Sequence, residues 1–152
     1  MITTLIAVGK QRPTFVEACE EYLARLRRYD GLVQHEVREG PGSASAAEQR
    51  RAEARRLLGK VPERALVVAL DRGGTGWTSE ALASHLGRWR DGAKSVALLI
   101  GGSTGLDDTV LARADHRWSL GPLTLPHQLA RLVVLEQWYR AWTILRGEPY
   151  HK

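Results

Sequence analysis

Two short apolar runs, each stopping abruptly in a glycine- and proline-rich loop, constrain this chain more than any other feature. Val96 to Ile100 ends in Gly101-Gly102-Ser103-Thr104-Gly105, and Trp118 to Leu120 ends in Gly121-Pro122-Leu123-Thr124-Leu125-Pro126. Each break falls where a strand should stop, and each is followed by a helical pattern. In open α/β sheets, small ligands bind in the crevice at the carboxyl ends of the strands. The two loops therefore predict one pocket walled largely by backbone.

The rest of the chain repeats the alternation. Ile2 to Val8 reads as a first strand, closed by Gly9. Thr14 with Glu17 has the spacing of a capping box that opens a helix, and Phe15, Val16, Cys19, Tyr22, Leu23 and Leu26 give that helix one apolar face. Leu32 to Val37 reads as a strand. The loop Gly40-Pro41-Gly42-Ser43 follows, and Ser45 with Glu48 caps a polar helix that runs through Leu58. Ala65 to Leu70, bounded by Pro62 and Asp71, is apolar throughout, as a strand covered on both faces must be. Asp71-Arg72-Gly73-Gly74-Thr75-Gly76 reads as a loop, and Ser79 starts a helix that turns Leu82, Leu86 and Trp89 inward. Strands alternating with helices predict an α/β fold, a mostly parallel sheet with helices on both faces. There are no internal repeats and no linker, so residues 1–152 read as a single domain.

Composition excludes several classes. The single Cys19 forbids an intramolecular disulfide, fits a reducing compartment, and lies on the apolar side of its helix, where it is a packing residue. No stretch has the layout of a signal peptide and no apolar run reaches ~18 residues, so a cytoplasmic protein without a membrane partner is expected. No metal is expected. The net charge of +5 permits attraction to nucleic-acid phosphates. However, the arginine clusters Arg25, Arg27, Arg28 and Arg50, Arg51, Arg55, Arg56 interleave with acidic residues and serve equally as solvated helix faces.

The glycine loops are not phosphate fingerprints. Gly101-Gly102-x-x-Gly105 lacks the Lys-Ser/Thr ending of a P-loop, and Gly73-Gly74-x-Gly76 is not G-x-G-x-x-G. The last helix, Gln128 to Leu145, is apolar on more than one face, with Leu129, Leu132, Val133, Val134, Leu135, Trp138, Tyr139, Trp142, Ile144 and Leu145. In so small a domain a second apolar face predicts cover by another copy of the chain, a homodimer with Trp138 and Trp142 as anchors.

The segments LLIGGSTGL and WSLGPLTLPHQLARLVVLEQWYRAW and the ending EPYHK resemble the RlmH family of ribosomal RNA methyltransferases, in the SPOUT superfamily. LIAVGK and VVALDRGGTGWTSEALA resemble the same family, so the likeness spans essentially the whole chain. It implies a SPOUT-type fold with a C-terminal trefoil knot, a rare exception to ordinary connectivity. It also implies S-adenosylmethionine as cofactor, bound by Leu70, Gly101, Gly102 and the run Gly121, Pro122, Leu123, Thr124, Leu125, Pro126. Glycine would let backbone approach the cofactor closely, Leu123 and Leu125 would sandwich its adenine, and the prolines would keep the loop rigid.

The implied reaction is methylation of N3 of a pseudouridine in large-subunit ribosomal RNA, on the assembled ribosome. Its N3 proton must leave, and His127 and His151 are the candidates to assist. Tyr150 would stack on the base, and Arg140 would hold a phosphate or developing negative charge. Each has a plainer role: His127 as a helix cap, Arg140 as partner of Glu136 one turn away, and His151 as part of a frayed tail. The tails of two copies are expected to reach across a dimer and complete each other's active site. Where relatives often carry Pro-Glu, this chain has Ser103-Thr104, so any role of that carboxylate does not transfer. The rival from another class is a non-enzymatic RNA-binding or ribosome-assembly module on the same fold, which would have no use for the complete LTLPH loop.

Overall fold

The computed structural model describes all 152 residues. Five parallel strands form one sheet in the order β2-β1-β4-β3-β5, comprising β1 (Thr3–Val8), β2 (Leu32–Val37), β3 (Leu66–Gly76), β4 (Val96–Ile100) and β5 (His116–Ser119). Successive side chains of a strand point to opposite faces, and the alternation divides the core in two. Leu5 and Ala7 of β1, Val68 of β3 and Leu98 and Ile100 of β4 face α1 (Pro13–Leu26), α3 (Ser79–Asp91) and α5 (His127–Leu145). Ile6 and Val8, Val67, and Ala97 and Leu99 face α2 (Ala46–Leu58) and α4 (Asp108–Arg113). Helices thus cover both faces. No helix is long and apolar enough to cross a membrane.

Several element boundaries follow the sequence signals. Ser45 accepts the Glu48 N–H at 3.2 Å while the Glu48 carboxylate accepts the Ser45 N–H at 3.4 Å, the reciprocal box that starts α2. Cys19 is buried against the sheet and accepts a contact from the Gln11 amide. Three expectations need correction. Thr14 does not cap α1: the helix begins one residue earlier, with Pro13 in its first turn and Arg12 at the N-cap without a side-chain bond. Proline supplies a helical φ and leaves no unpaired N–H at the first position, so it starts the helix without a box. Asp71 to Gly76 is not simply a loop. β3 loses register between Leu70 and Thr75, then pairs again, Thr75 with Trp118 and Gly76 with Ser119.

The third correction concerns α5. Its aromatic residues do not wait for a partner chain. Trp142 stacks on Tyr29 at 5.6 Å, just past the end of α1, and Trp138 stacks on Trp89 of α3 at 6.3 Å. Trp138 is 1% and Trp142 3% exposed within the single chain. A helix laid on the middle of a sheet between two neighbours is buried on three sides, which is why its sequence reads as apolar nearly all round.

Candidate active site

Three strands border one place. The interruption of β3 after Leu70 and the loops after β4 and β5 enclose a cavity of about 420 Å³, lined among others by Leu70, Gly101, Gly102, Gly121, Leu123, Thr124, Leu125 and His127. Pro122 and Pro126 are not among the lining residues. Pro122 is exposed, and Pro126 is the N-cap of α5.

The glycines serve different ends. A β-carbon on Gly101 would lie 2.8 Å from the Gly105 carbonyl oxygen, so Gly101 is needed to close the tight turn in which Gly105 N–H bonds Gly102 C=O at 3.1 Å. On Gly102 a β-carbon would meet Val8 at 3.0 Å and the Glu53 carboxylate at 3.2 Å. That is the α2 side of the loop, so the close approach at Gly102 is to the protein's own core. Gly121 differs: its φ is +119° and its β-carbon position is open. The Ser119 hydroxyl pins this turn, accepting the Gly121 N–H and donating to the Gly121 carbonyl, both at 3.2 Å. Leu123 stands beside the cavity 77% exposed, a large apolar side chain with nothing covering it.

Arg72 is the basic residue on the lining. Arg72 donates to the Thr124 hydroxyl, joining the β3 and β5 loops, and Arg50 reaches the Thr104 carbonyl at 3.4 Å. Exposed Lys10 and Arg12 lie in the loop after β1. That loop is anchored to α5: the Gln128 amide donates to Lys10 C=O at 3.1 Å and accepts the Arg12 N–H at 3.0 Å. Below it, fully buried Arg131 donates to the Gly9 carbonyl at 2.9 Å and pairs with Glu36 at 2.6 Å. His127, the first residue of α5, points the same way: a β-carbon on Gly9 would lie 3.6 Å from its Nε2 and 2.9 Å from Glu39 Oε1. His127 makes no capping bond, because Pro126 occupies the N-cap.

Arg140, Tyr150 and His151 are held elsewhere. The Arg140 guanidinium donates to Glu136 from Nε at 3.0 Å, and lies 4.7 Å from the centre of the Tyr150 ring. Tyr150 donates to the same Glu136 oxygen at 3.0 Å. His151 Nδ1 faces Arg140 at 3.3 Å and Nε2 faces Glu80 at 2.8 Å. Arginine only donates, so Nδ1 accepts, and Nε2 carries the hydrogen given to Glu80. The tail is tied down at both its aromatic residues. Burial, with added hydrogen bonding, pushes the Tyr150 phenol well up, so it stays a neutral donor. Arg140 is thirteen residues beyond His127 on α5, which at 1.5 Å per residue is roughly 20 Å along the axis. Within one chain the tail cluster and the cavity are separate.

Sequence reading missed Asp71, Arg72, Trp118 and Leu120 as lining residues. Arg72 and Asp71 follow directly on Leu70, and the signal that marked Leu70 could have been extended to them. Glu39 and Arg131 carried no local signal, since their partners lie on other elements. No group of three His, Cys, Asp or Glu side chains is placed to hold a metal.

Residues 1–151 match the family model described as a predicted SPOUT methyltransferase. The chain belongs to the SPOUT methyltransferase family. It is 50% identical over 149 residues to the ribosomal RNA large subunit methyltransferase H of Anaeromyxobacter sp., covering 97% of each chain. It is 45% identical over 151 residues to the protein of the same name from Stutzerimonas stutzeri, again covering 97% of each. Among solved structures, TrmJ from Z. mobilis superposes with a TM-score of 0.53 at 20% identity, over 100% of this chain and 73% of that one. The SpoU methyltransferase AviRb from Streptomyces viridochromogenes gives 0.50 at 15% identity, over 97% and 61%. These two likenesses bear on the fold: an α/β parallel sheet with helices on both faces, shared with SPOUT and SpoU proteins.

Proposed function

We propose that this SPOUT methyltransferase uses S-adenosylmethionine to methylate N3 of a pseudouridine in large-subunit ribosomal RNA, acting on the assembled ribosome in the cytoplasm. One observation carries the reading: the interruption of β3 and the loops after β4 and β5 close on one cavity whose size suits a nucleoside-bearing ligand. The residues present fit that cofactor. Gly121 leaves backbone open to approach, exposed Leu123 and half-buried Leu125 offer faces for an adenine, and the turn is fixed in advance by Ser119. A preformed, rigid wall lowers the ordering cost of binding. When bound, the cofactor supplies an electrophilic methyl group. The chain must align the acceptor, exclude water and receive the N3 proton.

His127 at the cavity wall is the base candidate from the same chain. The tail supplies the rest: Tyr150 an aromatic face, Arg140 a fixed positive charge, His151 an imidazole that takes part once released from Glu80. The roughly 20 Å between His127 and Arg140 supports a homodimer in which each tail serves the partner's cavity. Leu129 and Val133 are half-exposed on α5 and outside the apolar cluster, and they offer the surface for it. The reading carries the trefoil knot with it, the segment between β5 and α5 threading the loops beside β3 and β4. Arg72 on the lining and Arg50, which donates to the Thr104 carbonyl of that lining, suit an RNA backbone.

Calorimetric titration with S-adenosylmethionine, followed by transfer of labelled methyl groups to ribosomes from a strain lacking the enzyme, tests the proposal. Micromolar binding and one labelled pseudouridine per ribosome are expected. A protein that binds ribosomes but no cofactor would be the RNA-binding module instead.

A further inference from the structure

We propose that Asp71 is the counter-charge for the sulfonium of the cofactor and sets the preference for methyl donor over demethylated product. The inference rests on the cofactor reading above and adds a residue that determines specificity. The wall from β5 to α5 is apolar, with Leu120, Leu123 and Leu125, and the loop after β4 is neutral from Gly101 to Leu106. Ionisable groups on the lining are therefore Asp71, Arg72 and the His127 imidazole. Asp71 is the one carboxylate.

Its charge is not neutralised by its neighbour. The Arg72 guanidinium is drawn to the Thr124 hydroxyl, across the mouth of the cavity. Asp71 belongs to none of the ion pairs of the chain. Its position has a backbone cause: β3 drops out of register between Leu70 and Thr75, and such an interruption re-aims the side chains that follow. The Asp71 carboxylate oxygen lies 3.4 Å from where a β-carbon of Gly73 would stand, over a residue that presents no side chain. A half-buried carboxylate outside every ion pair, on a cavity wall whose one arginine, Arg72, is engaged by the Thr124 hydroxyl, favours a cationic ligand.

The methyl donor carries a fixed positive charge on the sulfur that bears the reacting carbon. The thioether product does not, although it keeps the same adenosine and the same amino-acid end. A carboxylate facing the sulfur distinguishes the two, and so helps exchange product for fresh donor. A carboxylate facing the amino group would not.

Native protein and Asp71→Asn are titrated by calorimetry with S-adenosylmethionine, S-adenosylhomocysteine and sinefungin, whose amine places a positive charge where the sulfonium stands. The variant should bind the first and third about tenfold more weakly, the size of a partly exposed charge pair. Affinity for S-adenosylhomocysteine should change less than about twofold. Melting curves check that the fold is kept, and Asp71→Glu should restore the preference. Equal losses for all three ligands, or none, overturn the assignment while leaving the cofactor site in place. Native protein that binds none of them overturns the cofactor reading itself, and this inference with it.

Discussion

Gly102 lines the cavity, yet the reason it must be glycine lies behind the cavity wall. A glycine after a strand suggests backbone yielding space to a ligand, but the missing β-carbon points at Val8 and Glu53. Gly102→Ala is thus expected to act on stability: a strain of about 1 kcal/mol lowers the melting temperature by roughly 2–4 °C in a chain of this size. Cofactor affinity of the folded variant should stay within about twofold. Calorimetry showing lost affinity at an unchanged melting temperature would place the contact on the ligand side after all. Behind it, Glu53 is 1% exposed, its Oε1 has no partner, and Oε2 receives only the Gly40 N–H at 3.5 Å. Burial pushes its pKa up. For an acid whose folded pKa lies above the unfolded value, the folded state holds the proton more tightly, so ionised Glu53 costs stability at neutral pH. That cost fades as pH falls through the folded pKa toward the unfolded value of about 4.3. Glu53→Gln should therefore raise the melting temperature at pH 7 and leave it unchanged near about pH 4. A variant that melts lower than the native protein at pH 7 would mean the carboxylate has an attractive partner. In the sequence Glu53 is one more charged residue on a polar helix; its isolation is invisible there, because Gly102 is brought against it from another element.

Elements were legible where a local rule acts alone. The capping box of α2 and the all-apolar β4 need no tertiary information, and they stand where spacing puts them. The start of α1 was misread because Pro13 overrides Thr14, both being legitimate first-turn signals one residue apart. The resumption of β3 at Thr75 was invisible, since pairing with Trp118 is decided more than forty residues later. Long-range decisions of this kind also explain Arg131. Read along α5, it is one arginine on an apolar helix; in the fold it is 0% exposed, tied to the Gly9 carbonyl and to Glu36, whose side chain is 36% exposed. The pair is asymmetric, and its two halves should break differently. Glu36→Gln strands a guanidinium inside the protein and is expected to cost about 3 kcal/mol. Arg131→Met leaves an apolar chain among apolar neighbours and a carboxylate that already reaches water, and should cost nearer ~1 kcal/mol. Urea unfolding of both variants decides the order; a greater loss for Arg131→Met would show that the Gly9 hydrogen bond, not the ion pair, anchors the loop after β1.

At the scale of the whole molecule, the sheet was readable from the alternation of strands and helices and the family from the resemblance of whole segments such as WSLGPLTLPHQLARLVVLEQWYRAW, and a site shared between two chains was an expectation of the same resemblance. A sequence shows His127, Arg140 and His151 as neighbours on one helix and its tail; the helix holds the first of them roughly 20 Å from the second. If one catalytic centre uses all three, two chains must supply it. Trp138→Glu cannot test the dimer, because Trp138 sits in the core of the single chain and its loss would unfold it. Val133→Glu, on the half-exposed side of α5, is the better probe. A sharper experiment asks whether sites are shared. Deleting Tyr150 to Lys152 removes the tail but spares the cavity, while Gly121→Val burdens the cavity turn with a side chain at φ +119° and spares the tail. Each variant alone should fail to methylate ribosomes. Mixed, unfolded and refolded together, they form dimers of which half are hybrid, and each hybrid joins one sound cavity to one sound tail. Activity should then return to about one quarter of the native value, the fraction expected for a two-fold dimer with reciprocal sites. A mixture as inactive as its components, in the presence of hybrids seen by mass spectrometry, would mean that the tail serves its own chain and must swing the length of α5 to do so.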